Sequence, residues 1–361
     1  MNEVIKSVLK RLENEGFEAY VVGGYVRDYC LEKKSYDVDI ITNALPKDIV
    51  SLFEVDKVEI HPYKSINFKQ DHYNFDIMTY RREIKYKNRI PVEIEYINNL
   101  LEDLERRDFK INALLMNHDG KVIDYMDALT DLKNNVITSI GNVDQKLKED
   151  PLRILRAIRI ATILDFKLDK KLFRSIKKHK KLILKLSVDR IRKELDVIFL
   201  SKNYKKGFQL LIDCGILKVL GIKPKVFNYV HDISAIWLQI NSKIEFNFTK
   251  QEKKQMESLK KILAYGDIDA WIVYEYGLYL SQVAAELMHK DKHEVVQIAA
   301  ELSIQEESEL AISSESICEV LGIEPSKMLG LIKDELIKLI LKNKINNNEK
   351  ELISYLKERR N

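Results

Sequence analysis

The chain has 361 residues, 45% apolar and 32% charged, long enough for two or more cored domains and balanced as a soluble globular protein. It contains no run of about 18 apolar residues, which excludes a transmembrane helix, and its charged start, MNEVIKSVLKRLENEGFEAY, is not expected to be a secretory leader. The three cysteines, Cys30, Cys214 and Cys318, lie far apart, which argues against a disulfide framework or a zinc site and fits a reducing cytoplasm. The net charge of +4 is uneven: residues 141–200 hold 17 Lys/Arg against 8 Asp/Glu, a local +9 that leaves −5 for the rest. Such a basic middle suits either a polyanion bound at one place or a solvated helix face.

In chain order, residues 3–15 read as a helix with Val4, Val8, Leu9 and Leu12 on one face. EAYVVGG reads as a buried strand ending in a turn, RDYCLEK as a helix and YDVDII as an alternating strand. Two or three short strands follow in VDKVEIHPYKSINFKQDHYNFDIMTY, and another in VEIEYI. From about Leu100 the pattern becomes helical through LLEDLERRDFKINALLM, and HDGKVIDYM reads as a short hairpin. After about Gly141 helical spacing continues to the end with almost no strand signal, beginning with a helix over KEDPLRILRAIRIATIL that has Pro151 in its first turn. The predicted fold class is therefore α+β: a mixed-sheet head of about 140 residues and a long all-α remainder.

The chemistry concentrates in YVVGGYVRDYCLEKKSYDVDII. Asp37 and Asp39, at i and i+2 of a strand, share a face and repel one another unless a cation lies between them. Mg²⁺ suits that place because it takes carboxylate and phosphate oxygens together. Gly23-Gly24 ends the preceding strand and lets backbone N–H groups approach phosphates. Either feature alone is weak; in strand–turn–helix–strand order, with Arg27-Asp28 between, the combination is specific. His231-Asp232 lacks the further His and Asp residues a metal phosphohydrolase needs and reads as an ordinary helix position.

GGYVRDYCLEKKSYDVDI resembles the signature of the class II tRNA nucleotidyltransferases and bacterial poly(A) polymerases, in the polymerase-β superfamily. RRDFKINAL (106–114) is similar to the family's ribose-recognition motif, EDPLRILRAIRI (149–160) to its nucleotide-selecting motif and DRIRKEL (189–195) to its helix-stabilising motif. The resemblance implies a polymerase-β-like head (1–140), then an elongated all-α neck (141–200), body (201–265) and tail (266–361). It implies template-independent addition of CCA to the 3′ end of tRNA from CTP and ATP. A CC-adding or A-adding member, a poly(A) polymerase, or an RNA-binding module on an inactive head are the alternatives.

Carried over residue by residue, the resemblance makes Asp37 and Asp39 the Mg²⁺ ligands. Asp76 stands where a third acid positions or deprotonates the attacking hydroxyl, or is an edge-strand surface acid. Gly23, Gly24 and Arg27 meet the triphosphate, and Asp108 and Asn112 the ribose. Arg107 meets phosphate or packs as an ion pair; Arg156 and Arg159 reach the triphosphate or form neck salt bridges. Asp150 and Arg153 face the base. A carboxylate acceptor beside a guanidinium donor matches the edges of cytosine and adenine, whereas uracil and guanine present the reverse pattern. Glu83, Tyr86 and Arg89 belong to a flexible loop linked to switching from C to A; Asn88 stands where CCA-adding members usually have Asp. Lys177, Lys178 and Lys181, opposite the apolar positions Leu172, Phe173, Ile176, Leu182 and Ile183, are candidate contacts to the tRNA backbone. No membrane partner is implied, and the sequence carries no signature of a particular oligomeric state.

Overall fold

The structure, a computed structural model, describes residues 1–53, 59–60, 65–87, 90–223 and 228–360, with the side chains of 59–60, 85–87, 90–92 and 360 left aside. The chain forms two compact units, Met1–Pro224 with Ser242–Phe246, and Lys225–Asn241 with Asn247–Asn361. Among the described residues no helix is long and apolar enough to cross a membrane.

The first unit opens with α1 (Glu3–Glu13), capped by the Asn2 side chain on the Val4 N–H. Its buried stripe is Ile5, Val8, Leu9 and Leu12. Ile5 rather than the expected Val4 completes the i, i+3, i+4, i+7 face. Strand β1 (Ala19–Val22) leads through Gly23 into α2 (Gly24–Cys30), and β2 (Asp37–Thr42), α3 (Pro46–Phe53), β3 (Glu59–Ile60), β4 (Ile66–Gln70) and β5 (Tyr73–Thr79) follow. Helix α2 takes in the second glycine and stops before the expected Leu31-Glu32-Lys33, where Glu32 adopts a positive φ of 55°.

Strands β6 (Arg81–Lys87) and β7 (Ile90–Tyr96) form a separate antiparallel hairpin, and α4 (Leu100–Glu105) comes next. The helix expected over Leu100–Met116 ends at Glu105. Arg106, Arg107 and Asp108 turn away from it, a single 3₁₀ turn occupies Lys110–Asn112, and β8 (Leu115–Met116) pairs with β9 (Val122–Ile123). The main sheet has seven strands in the order β3-β4-β5-β2-β1-β8-β9. All its pairings are antiparallel except β2 with β5. That parallel pair sets Asp37 opposite Asn74 and Asp39 opposite Asp76. The face carrying the two aspartates becomes apolar at Ile41, which packs with Val22, Tyr80, Leu104, Ala113, Leu115 and Ile140.

Helix α5 (Ala128–Lys133) and β10 (Val136–Ile137) precede the helical part, which opens with α6 (Val143–Glu149) and α7 (Leu152–Leu164). The expected single helix over 148–164 is broken at Asp150, which is extended (φ −133°, ψ 97°) because the residue before a proline is driven out of the helical region. A two-residue strand, β11 (Lys167–Leu168), pairs in parallel with β10, a strand the sequence did not signal. Then come α8 (Lys170–His179), a 3₁₀ stretch over Lys180–Lys185, α9 (Val188–Leu200), α10 (Tyr204–Asp213) and α11 (Ile216–Leu220).

Among the described residues the regular elements of the second unit are all helices: α12 (Ile233–Gln239), α13 (Lys250–Tyr265), α14 (Ala270–Leu287), α15 (Lys292–Ala300), α16 (Ser314–Leu321), α17 (Lys327–Leu341) and α18 (Glu349–Arg360). One apolar core runs through it, including Leu259, Trp271, Ala284, Ile317, Leu336 and Leu352, without a break near residue 265. Helix α14 is interrupted at Gly277, whose φ of 77° is open to glycine.

Helix α10 crosses α7 and α9 at Gly207, where a Cβ would lie 2.6 Å from Ile198 Cγ2 and from Thr162 Oγ1. Both neighbours are stiff, buried, β-branched side chains, so the backbones must part to admit a methyl group. Gly207→Ala is expected to destabilise the first unit by about 1–3 kcal/mol. Urea unfolding followed by far-UV circular dichroism measures it, and an unchanged midpoint would refute the close crossing.

Candidate active site

The turn after β1 is built around Gly23, whose φ of 79° and ψ of −139° exclude a side chain. A Cβ there would also meet Asp39 Oδ2 at 3.0 Å, so the glycine backbone lies directly against that carboxylate. Asp37 is exposed and Asp39 partly buried, both on the open face of β2. Asp37 Oδ1 accepts a hydrogen bond from Asn74 Nδ2 at 2.8 Å. Asp76, half-buried, shares the register position of Asp39 on β5. The Asp39 carboxyl is pushed up to about 6, chiefly by burial; Asp76 and Asp37 add to the rise while Arg107 and Arg156 oppose it. Among the described residues no group of three or more His, Cys, Asp or Glu side chains converges on one point. The protein therefore supplies two carboxylates on one strand face, a donor set that fits a hard divalent cation whose remaining ligands are substrate oxygens and water.

Behind the carboxylates lies a row of charged groups. Arg27 is held by Asp28, Nε to Oδ1 at 2.9 Å, and donates from Nη1 to Asn112 Oδ1 at 2.9 Å. Asn112 Nδ2 donates to Asp108 Oδ1 at 3.2 Å, and the Phe109 N–H reaches the same oxygen at 2.8 Å. The other Asp108 oxygen receives Nε and Nη2 of Arg156 at 2.9 and 2.7 Å. Burial disfavours the charged form of Asp108, but Arg156 and these hydrogen bonds outweigh it and hold the acid below its ordinary range. Arg159 pairs with the buried Glu194 of α9 at 3.1 Å. So Arg156 and Arg159 both form ion pairs, Arg156 joining α7 to the head and Arg159 joining α7 to α9.

Arg107 makes a long contact to Asp103 (3.4 Å), and its buried Nε has no hydrogen-bond partner among the described residues. Burial disfavours its charge and Asp103 and Asp39 support it. It is a guanidinium beside the carboxylates with donor capacity to spare. Asp150 stands just before α7, where its Oδ1 accepts the Leu152 N–H at 3.0 Å. Arg153 sits within α7 and is 8% exposed, its two terminal nitrogens given to the carbonyls of Lys146 (3.1 Å) and Arg106 (3.0 Å). Asp150 thus precedes α7 while Arg153 lies within it, so the two stand at a helix start rather than inside one continuous helix.

Glu83 lies at the root of the β6–β7 hairpin rather than in its tip, 3.4 Å from Arg81 and 3.6 Å from Arg106. Tyr86 is on β6 opposite Pro91. Arg89 and Asn88 lie outside the described residues. On α8, Lys178 is paired with Asp144 at 2.5 Å and Lys177 lies over the Phe173 ring at 5.4 Å; Lys181, in the 3₁₀ stretch that follows, is exposed. Asp232 caps α12 through the Ala235 N–H (2.7 Å) and accepts the Tyr279 hydroxyl (2.7 Å), and Tyr229 reaches His231 at 3.2 Å; the pair has a structural role. Asp103 and Arg106 escaped sequence reading. Their signal, an acid and an arginine three apart, is also that of any solvated helix.

A glycine turn against paired strand carboxylates, with a third acid in register on a parallel neighbour, defines a nucleotidyltransferase head. Residues 19–138 match the family model described as poly A polymerase head domain, and residues 165–225 the one described as probable RNA and SrmB-binding site of polymerase A. The CCA-adding enzyme of Lactococcus lactis subsp. cremoris (strain SK11) is 31% identical over 97% of this chain and 95% of its own length. That of Ligilactobacillus salivarius (strain UCC118) is 29% identical over 97% and 95%. The chain belongs to the family of CCA-adding enzymes. Its fold is similar to the Bacillus stearothermophilus CCA-adding enzyme in complex with CTP (TM-score 0.82, 19% identity, 99% and 97% of the two chains). It is also similar to the Thermotoga maritima CCA-adding enzyme complexed with tRNA (TM-score 0.70, 20% identity, 99% and 95%).

The raised Asp39 carboxyl has a stability consequence with a definite sign. Its folded value, about 6, lies above its unfolded one, 3.8, so ionisation weakens the fold as pH rises between them and the loss levels off above about pH 7. Asp39→Asn is therefore expected to stabilise the protein by about 1–3 kcal/mol at pH 8 in chelator, with the gain shrinking toward pH 4. Thermal unfolding across that range checks it; a pH-independent gain would show that Asp39 is not strained by its neighbours.

Proposed function

We propose that this chain adds CCA, one nucleotide at a time and without a nucleic-acid template, to the 3′ end of tRNA, using CTP and ATP. The observation that carries the reading is the register of β2 and β5, which sets Asp76 opposite Asp39, two residues from Asp37, with Asp39 against the Gly23 turn. In each cycle the terminal 3′-oxygen of the RNA attacks the α-phosphorus, a new P–O bond forms and pyrophosphate leaves. Asp76 orients the hydroxyl and receives its proton. Asp37 and Asp39 would hold Mg²⁺, which when bound neutralises the triphosphate and favours the ionised hydroxyl.

Gly23 and Gly24 offer their backbone N–H groups to the triphosphate, and Arg107 extends its unused donors toward the same charge. Arg27 meets the triphosphate and, through its bond to Asn112, fixes that side chain, which with Asp108 faces the ribose. Arg156 holds Asp108 ionised, and Arg159 anchors α7 on α9. Residues 1–140 carry the chemistry as the head and 141–200 serve as neck; the body and tail, 201–265 and 266–361, share one apolar core from Val230 onward. On the neck Lys177 and Lys181 meet RNA phosphates, while Lys178 has part of its charge met by Asp144. Tyr86 and Arg89 of the hairpin act in the switch from C to A.

Purified protein given a tRNA lacking its CCA, with CTP and ATP, is expected to yield a product three nucleotides longer, sized to one nucleotide. A product two nucleotides longer would make it a CC-adding enzyme. Loss of that product in Asp37→Ala would support the metal assignment, and normal turnover in that variant would sink it.

Base choice falls to Asp150 and Arg153. A mismatched base edge strands polar groups at roughly 1–3 kcal/mol each, so two such groups give on the order of hundred-fold preference for CTP and ATP over UTP and GTP. Asp150→Ala is expected to narrow that gap. A variant that loses rate in kcat/KM measurements but keeps the wild-type ratios for all four nucleotides would remove base choice from these residues.

A further inference from the structure

Asp103 is 0% exposed, yet it carries no part of the chemistry above. Its Oδ1 accepts the backbone N–H of Arg81 at 3.1 Å and Nε of Arg106 at 2.8 Å, and its Oδ2 faces Arg107 Nη2 at 3.4 Å. Burial opposes its charge; Arg106, Arg107 and the Arg81 N–H outweigh that and keep it ionised. Each contact leads to a different functional element. Arg81 is the first residue of β6 and pairs with Tyr96, the last of β7, so the carboxylate pins the root of the hairpin. Arg107 is the guanidinium whose charge acts on the Asp39 carboxyl.

Arg106 connects the hairpin with the base-selecting arginine. Its side chain bridges Asp103 and, at 3.6 Å, Glu83 of β6, while its own carbonyl accepts Arg153 Nη2 at 3.0 Å. The second carbonyl on Arg153, that of Lys146, is steadied from the same side: Lys146 Nζ donates to the Glu105 carbonyl at 2.5 Å. The guanidinium of Arg153 is thus clamped between the end of α4 and α6, and the end of α4 is set by Asp103. An arginine fork held by two carbonyls, with Glu149 Oε2 3.6 Å from its Nη1, has one orientation.

We propose that Asp103 and Arg106 are positioning residues for nucleotide selection: the buried carboxylate fixes Arg106, and Arg106 ties the root of the β6–β7 hairpin to the orientation of Arg153. The inference rests on the proposed function, since it takes Arg153 to face the base. It adds a route by which a change in the hairpin reaches the base-selecting group without touching the nucleotide.

The test compares kcat/KM for CTP and UTP in wild type, Asp103→Asn, Arg106→Lys and Glu83→Gln, each also in an Arg153→Lys background. Asp103→Asn keeps shape and one acceptor; Arg106→Lys keeps the charge and the backbone carbonyl but loses the fork. Positioning predicts that the CTP-over-UTP ratio falls about tenfold in Asp103→Asn and Arg106→Lys, less in Glu83→Gln, and that no further fall occurs once Arg153 is changed. A structural role alone would lower the thermal midpoint and the rates for both nucleotides together, leave their ratio as in wild type, and overturn the proposal. Ratios that fall equally with and without Arg153 would overturn it too, by placing the effect on another route. Should Asp103→Asn fail to fold, Arg106→Lys and Glu83→Gln decide by the same ratio. A wild type that does not extend tRNA with C and A refutes the functional reading instead, a result seen before any variant is made.

Discussion

The parallel pairing of β2 with β5 is the constraint on which the rest of the site depends. It forces Asp39 and Asp76 side by side, with Asp37 one step along the same face. Carboxylates so placed repel, and the partial burial of Asp39 keeps water from screening them. The surroundings answer that crowding. Gly23 brings backbone rather than a side chain against Asp39. Arg107 and Arg156 stand near enough to lower its pKa without closing on it. What remains is negative charge on the open face of β2.

Charge of the opposite sign is organised around two acids, Asp103 and Asp108. Asp108 binds Arg156 and Asn112; Asp103 binds Arg106, Arg107 and the start of β6. Buried pairs of this kind add little net stability, but removing one partner leaves a charge uncompensated in a poor solvent for it. Their effect here is directional. Each arginine has some of its donors fixed by protein, which holds its guanidinium in one orientation.

The sequence made much of this legible, where chemistry depends on neighbours along the chain. The Gly-Gly turn and the alternation of Asp37 with Asp39 are local patterns, and both formed as read. Asp76 was placed by resemblance, and strand register, which no local pattern shows, is what sets it against Asp39. Arg156 and Arg159 were open between phosphate and ion pair because helical spacing says which face a residue occupies, not what lies opposite. Asp103 was invisible for the same reason: in EDLERR it looks like one more charge on a wet helix, and its burial depends on β6. The break at Asp150 was written in the chain, since Pro151 disfavours helix at the residue before it, but the strong periodicity of the following residues masked it. Val4 and Ile5 are adjacent and both apolar, and which of them faces the core depends on what α1 packs against rather than on the pattern along the chain.

The hydrogen bonds behind the site span long stretches of chain: Arg27 to Asn112 is 85 residues, Asp108 to Arg156 is 48 and Arg106 to Arg153 is 47. Contacts of such separation close late, after the local helices and hairpins have formed. During synthesis the whole seven-stranded sheet, which ends at Ile123, has emerged before Arg153 and Arg156 exist to pair with it. In that interval Asp108 lacks its principal counter-ion. The ion pair that closes on Asp108 is therefore completed by α7, whose residues follow the sheet in the chain, and a chain halted before that helix has a sheet whose Asp108 lacks Arg156.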